Sequence, residues 1–93
     1  KDIEFAFIFG SYAKNEFKSD SDIDLYIIGN IDGAKIHSIT QKAEDEIHRP
    51  INYHLASRKE FEENLKNDFF HKEITKKYIL LTDNSDEFRK LIK

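Results

Sequence analysis

The chain has 93 residues, enough for one hydrophobic core and no second. Hydrophobic residues make up 39% and charged residues 35%, with a net charge of −3; that balance excludes a disordered tail and gives no basic field for direct binding to duplex nucleic acid. Cysteine is absent, which excludes disulfides and thiolate zinc sites, and no apolar run approaches the roughly 20 residues that cross a bilayer, so no membrane association is expected.

In chain order, Ile3 to Gly10 (IEFAFIFG) is rich in β-branched and aromatic residues, ends in glycine, and is predicted to be a strand buried on both faces. Ser11 to Glu16 is predicted to form a helical turn capped by Ser11, and FKSDSD a polar loop. Ile23 to Ile28 (IDLYII) is the second predicted strand. From Asp32 to His48, Ile36, Ile39, Ala43 and Ile47 recur at helical spacing, and Asp32 is the expected cap. Pro50 ends that helix and turns the chain into a third strand, INYHLAS. Ser57 and Glu60 have the spacing of a capping box ahead of a helix carrying Phe61 and Leu65. A helix from Asp68 to Lys77, a short strand YILLT and a last amphipathic helix with Phe88, Leu91 and Ile92 complete the series.

This order predicts an α/β (α+β) domain over residues 1–93, with a mixed sheet of about four strands and helices packed on it. The first two strands are joined by too few residues for a crossover helix and are expected to be antiparallel; the second and third, linked by a long helix, are expected to be parallel. The sequence contains no methionine, so the domain is expected to belong to a longer chain with a segment upstream of Lys1. No secretory signal is seen, and the expected location is the cytoplasm.

The topology sets Gly10 and Ser11, at the end of the first strand, beside Asp22 and Asp24 at the start of the second. Side chains two apart on a strand share a face and lie roughly 6.5 Å apart at Cα, so the two carboxylates can share one hard cation or bracket a pair of ions about 4 Å apart. Mg²⁺ is held by one or two carboxylates together with water and substrate phosphates. A glycine lets backbone approach an anion, and Ser11 offers N–H and O–H donors, so the pattern points to a nucleoside triphosphate.

The stretch GSYAKNEFKSDSDIDLYI resembles the signature of the DNA polymerase β-like nucleotidyltransferase superfamily, in particular its minimal nucleotidyltransferase branch. The resemblance implies that Gly10 and Ser11 contact the triphosphate of an NTP, expected to be ATP, and that Asp22 and Asp24 ligate Mg²⁺ or Mn²⁺. It implies transfer of a nucleoside monophosphate to an acceptor hydroxyl with release of pyrophosphate. This chain has Lys14-Asn15 where many members have a basic residue followed by glycine; Asn tolerates positive φ, so the turn is expected to be kept. Active members supply a third carboxylate from the next strand, and here Asn52 stands at that place. An amide cannot act as a base, and His54, two residues on and on the same face, is the substitute proton acceptor the strand offers.

Lys14 and Ser21 are further candidates for the phosphates, with a solvated charge and a turn cap as their structural roles, and Lys18 is a weaker one. Asp20 matches no ligand position. His37 and His48 lie about 16 Å apart along one helix, too far to share an ion, and His71 is expected on a helix surface. Phe5, Phe7, Phe9, Tyr26, Tyr53, Phe61, Phe69 and Phe88 are assigned to the core. Two functions stand: an active nucleotidyltransferase, antitoxin-like and acting on a HEPN-domain partner or fused to a winged-helix region, and a catalytically impaired nucleotide-binding module in which Asn52 marks the loss.

Overall fold

The computed structural model describes residues 2–16, 18 and 21–93. Its elements are β1 (Ile3–Phe9), β2 (Ile23–Gly29), α1 (Gly33–Ile47), β3 (Ile51–Ala56), α2 (Arg58–Asn67), α3 (Phe69–Ile74), β4 (Ile79–Leu80) and α4 (Ser85–Ile92). The four strands form one sheet in the order β3-β2-β1-β4. As the connection lengths require, β1 and β2 are antiparallel and β2 and β3 parallel; β4 joins the far side of β1 antiparallel.

Strand alternation divides the apolar residues between two faces. Phe5, Phe7 and Phe9 pair in register with Ile28, Tyr26 and Asp24, and with Phe61 of α2, Ile74 of α3 and Phe88 of α4 they build the core. The rings interlock: Phe7 lies flat against Tyr26 at 5.3 Å between centroids and tilted against Phe88 at 5.1 Å. The opposite face carries α1. There Ile8 and Ala6 are only half-buried, so β1 is buried on one face and partly covered on the other, because a single helix cannot roof four strands.

The helix boundaries follow local chemistry. Asp32 caps α1 through its carboxylate to the Ala34 N–H at 3.4 Å, and His48 ends it in the left-handed region at φ 59°. Ser57 and Glu60 form the full capping box of α2, at 3.1 and 2.9 Å. On α1 the buried residues are Ile36 and Thr40, whereas Ile39 and Ile47 are 50% and 43% exposed. The helix rolls this way because Glu44 is drawn to β3, where its carboxylate accepts the Ile51 N–H at 2.6 Å. Phe69 is also outside the core, 75% exposed at the start of α3, and Tyr53 is half-buried.

Gly29 closes β2 where β1 carries a register shift between Ile3 and Phe5. A Cβ there would overlap the Asp2 carbonyl oxygen, which accepts the Asn30 N–H at 3.0 Å. Gly29→Ala is therefore expected to cost about 1–3 kcal/mol, read as a lower urea midpoint at unchanged slope.

Candidate active site

The C-terminal end of β1 and the N-terminal ends of β2 and β3 meet at one edge of the sheet. Phe9 is in register with Asp24, and Asp24 with Asn52, so these three positions form a row across it. Gly10 follows directly, with φ +78°, a conformation that side chains with a Cβ adopt at a cost. A Cβ on Gly10 would stand 2.5 Å from Asp24 Oδ2. The glycine is thus required twice: the turn needs its backbone angle and the aspartate occupies the space of its missing side chain.

After Gly10 the chain makes one helical turn that is not propagated. Lys14 N–H donates to the Gly10 carbonyl at 3.1 Å and Glu16 N–H to that of Ser11 at 2.8 Å, and Asn15 sits at φ 61°. Asn15 thereby fills the left-handed position expected of it. Ser11 is half-buried beside Gly10, and no hydrogen bond of its hydroxyl is formed among the described residues; Lys14 is exposed. Ser21 closes the loop as a cap: its hydroxyl accepts the Lys18 N–H at 2.6 Å while its own N–H donates to the Lys18 carbonyl at 3.0 Å. Asp20 lies outside the described residues.

Asp22 and Asp24 come from the entry to β2, which Pro50 anchors by accepting the Ile23 N–H at 2.9 Å. The Asn52 amide donates to Asp22 Oδ2 at 3.1 Å. Register ties Asn52 to Asp24 and the hydrogen bond ties it to Asp22, so all three side chains converge at the sheet edge. Among the described residues no group of three or more His, Cys, Asp and Glu side chains could hold a metal ion. The donor set of two carboxylates fits a Mg²⁺ that completes its shell with water and phosphate oxygens, and does not fit an ion held by protein alone.

Behind this edge lies an aromatic layer. His54, in register with Tyr26, stacks on it at 5.6 Å and 7°, and Phe70 stands 5.5 Å from His54 and 5.8 Å from Phe9. His71 is buried, not on the surface. With Nδ1–H donating to Asp68 at 2.5 Å, its Nε2 accepts the Tyr26 hydroxyl at 2.7 Å. This clamp was not legible as such; the spacing of Asp68 and His71, three apart at a helix start, is the only trace of it in the sequence. Asp68 is held below the ordinary carboxylate range, chiefly by its hydrogen bond to His71.

Burial pushes the Tyr26 hydroxyl up from 10.0 to about 12. A group whose folded value is raised contributes stability that is present below its unfolded value and is lost as the pH climbs through the folded one. Stability is therefore expected to fall by about 2–3 kcal/mol between pH 10 and 12 from this group. Tyr26→Phe should lower the denaturant midpoint below pH 10, and the difference from the parent should shrink as the pH rises toward 12, because the variant lacks that part of the alkaline slope.

The sequence matches the family model described as "Polymerase beta, Nucleotidyltransferase" over residues 1–87. The chain belongs to the polymerase β nucleotidyltransferase family. Among solved structures, the domain is similar to a chain from the "Crystal structure of the toxin-antitoxin with AMP-PNP", with a TM-score of 0.66 and 14% identity over 99% of this chain and 70% of that one. At that identity the likeness is one of fold. No curated protein matches. The nucleotidyltransferase domain has a mixed four-stranded sheet with four helices on it, and no helix among its described residues is long and apolar enough to cross a membrane.

Proposed function

We propose that the domain binds ATP with Mg²⁺ and transfers the nucleoside monophosphate to an acceptor hydroxyl. The observation that carries this reading is the packing of Asp24 Oδ2 into the space over Gly10, which joins the phosphate turn and the metal carboxylates into one cradle. In it, the backbone of Gly10 and Ser11 would hold the triphosphate, and Asp22 and Asp24 would hold the metal. Mg²⁺ supplies charge neutralisation at the phosphate oxygens. The acceptor hydroxyl gives its proton to water, its oxygen forms a new bond to the α-phosphorus, the bond from that phosphorus to the bridging oxygen breaks, and pyrophosphate leaves with the electron pair.

One specific feature favours a second reading, a nucleotide-binding module with weakened transfer. Asn52 spends its amide on Asp22 and takes no proton from an incoming hydroxyl. The fold likeness to a toxin–antitoxin chain supports a protein partner, for which a HEPN-domain protein or a fused winged-helix region is the proposed context.

Incubation with ATP labelled at the α-phosphate, Mg²⁺ and a partner protein separates the two readings. Label on the partner that disappears with Asp22→Ala supports transfer. Mg²⁺-dependent binding without label supports the module.

A further inference from the structure

The C-terminal ends of α2, α3 and α4 meet around a groove of about 610 Å³ that shares no residue with the nucleotide cradle. Its floor is Leu65, Leu91 and Ile92, which pack on the core with one side and stay half-open on the other. Lys66, Lys72, Lys76 and Lys93 stand exposed around that floor, in a chain whose net charge is −3. Lys76 is paired with Glu73 at 2.7 Å. The one acidic side chain of the lining, Glu62, lies 3.9 Å from the Arg58 guanidinium. Lys66, Lys72 and Lys93 form no ion pair among the described residues.

A lysine near a helix C-terminus is favoured by the partial negative charge there, which is the ordinary reason to find Lys66 and Lys72 in the last turns of α2 and α3. Each end carries only about half an elementary charge, so the ends of the three helices leave the groove positive. Nor does that attraction explain the apolar side chains left half-open between the lysines. A positive rim over an apolar floor is matched by an apolar stripe flanked by carboxylates, and a helix lying in a groove presents such a stripe through residues at i, i+3 or i+4 and i+7. A bilayer takes apolar side chains that protrude into it, whereas these are recessed between helix ends. The lining also holds no aromatic ring on which a nucleic-acid base could stack.

We propose that this groove docks an acidic amphipathic helix of a partner protein. The inference rests on the reading above that gives the domain a protein partner, and it deepens that reading by naming the surface and the chemistry of what binds there. Leu65, Leu91 and Ile92 then hold the apolar stripe, and Lys66 and Lys72 select a partner with carboxylates beside it.

The probe is a synthetic peptide of about 14 residues, about four helical turns, with leucines at i, i+3 and i+7 flanked by glutamates, titrated into the ¹⁵N-labelled protein. Saturable shifts are expected at the amides of residues 65, 66, 91 and 92 and of 72–76, and none with the same peptide carrying serine for leucine. Lys66→Glu combined with Lys72→Glu should weaken the glutamate peptide about tenfold or more, because two surface attractions become two repulsions. The same variant should bind a peptide carrying lysine for glutamate, which the parent does not. Both lysines are exposed, and unchanged far-ultraviolet circular dichroism checks that the variant is folded. The proposal is overturned if the parent's amides do not move, or if parent and variant bind the glutamate peptide equally. It is also overturned if the double substitution abolishes dimerisation of the parent or its cosedimentation with phosphatidylglycerol vesicles, which would give the groove to a second copy or to a membrane. Label passed from ATP to a partner protein equally well by parent and variant overturns the groove and leaves the partner reading standing. Peptide binding as expected with no label on any partner keeps the groove and overturns transfer to a partner instead.

Discussion

Asp24→Ala is expected to weaken Mg²⁺-dependent binding of ATP by about 100-fold or more, since even removal of a group that only supports a metal ligand costs 10- to 100-fold. Transfer should fall below detection at the same time. The side chain is half-buried and makes no hydrogen bond among the described residues, so the fold should survive its loss. Far-ultraviolet circular dichroism matching the parent checks that point. Because Asp24 Oδ2 fills the space over Gly10, the alanine also opens that space, and Asp24→Asn, which keeps the shape and removes the charge, serves as the control. Calorimetric titration should show both variants impaired. A defect confined to Asp24→Ala would mean that Asp24 acts by packing alone.

Asn52→Asp is expected to raise the rate of transfer by about 10² to 10⁴, the usual contribution of a positioned general base. It should also change the metal dependence of stability. In the parent, the Asn52 amide donates to Asp22 at 3.1 Å. The aspartate replaces that bond with a second carboxylate in contact with Asp22, and two like charges about 4 Å apart repel by about 1 kcal/mol even at the dielectric of water. The variant should melt lower than the parent in chelator and gain more from added Mg²⁺. Raised transfer would identify position 52 as the place of the missing base. An unchanged rate with ATP still bound would place the defect elsewhere on β3.

The meeting of Gly10 with Asp24 was legible because its parts are local: Gly10-Ser11 and Asp22-x-Asp24 each stand at a strand end, and short connections leave little freedom in how those ends meet. Asn15 in the left-handed turn and the capping box of Ser57 and Glu60 were legible for the same reason. What failed depended on partners distant in sequence. His71 reads as a surface residue until β2 brings the Tyr26 hydroxyl to it from 45 residues away. Phe69 reads as core because phenylalanines usually are, yet the clamp orients α3 so that it faces outward. On α1, the tie between Glu44 and Ile51 rolled Ile39 and Ile47 away from the sheet, which no helical periodicity could reveal.

The central claim, that Gly10, Ser11, Asp22 and Asp24 form one Mg²⁺-dependent nucleotide site, is tested most directly by calorimetric titration of the protein with AMP-PNP in Mg²⁺ and in chelator. The expected result is saturable one-to-one binding that needs Mg²⁺ and is lost in both Gly10→Ala and Asp22→Ala. Binding that persists in chelator, or that either substitution leaves intact, would contradict it.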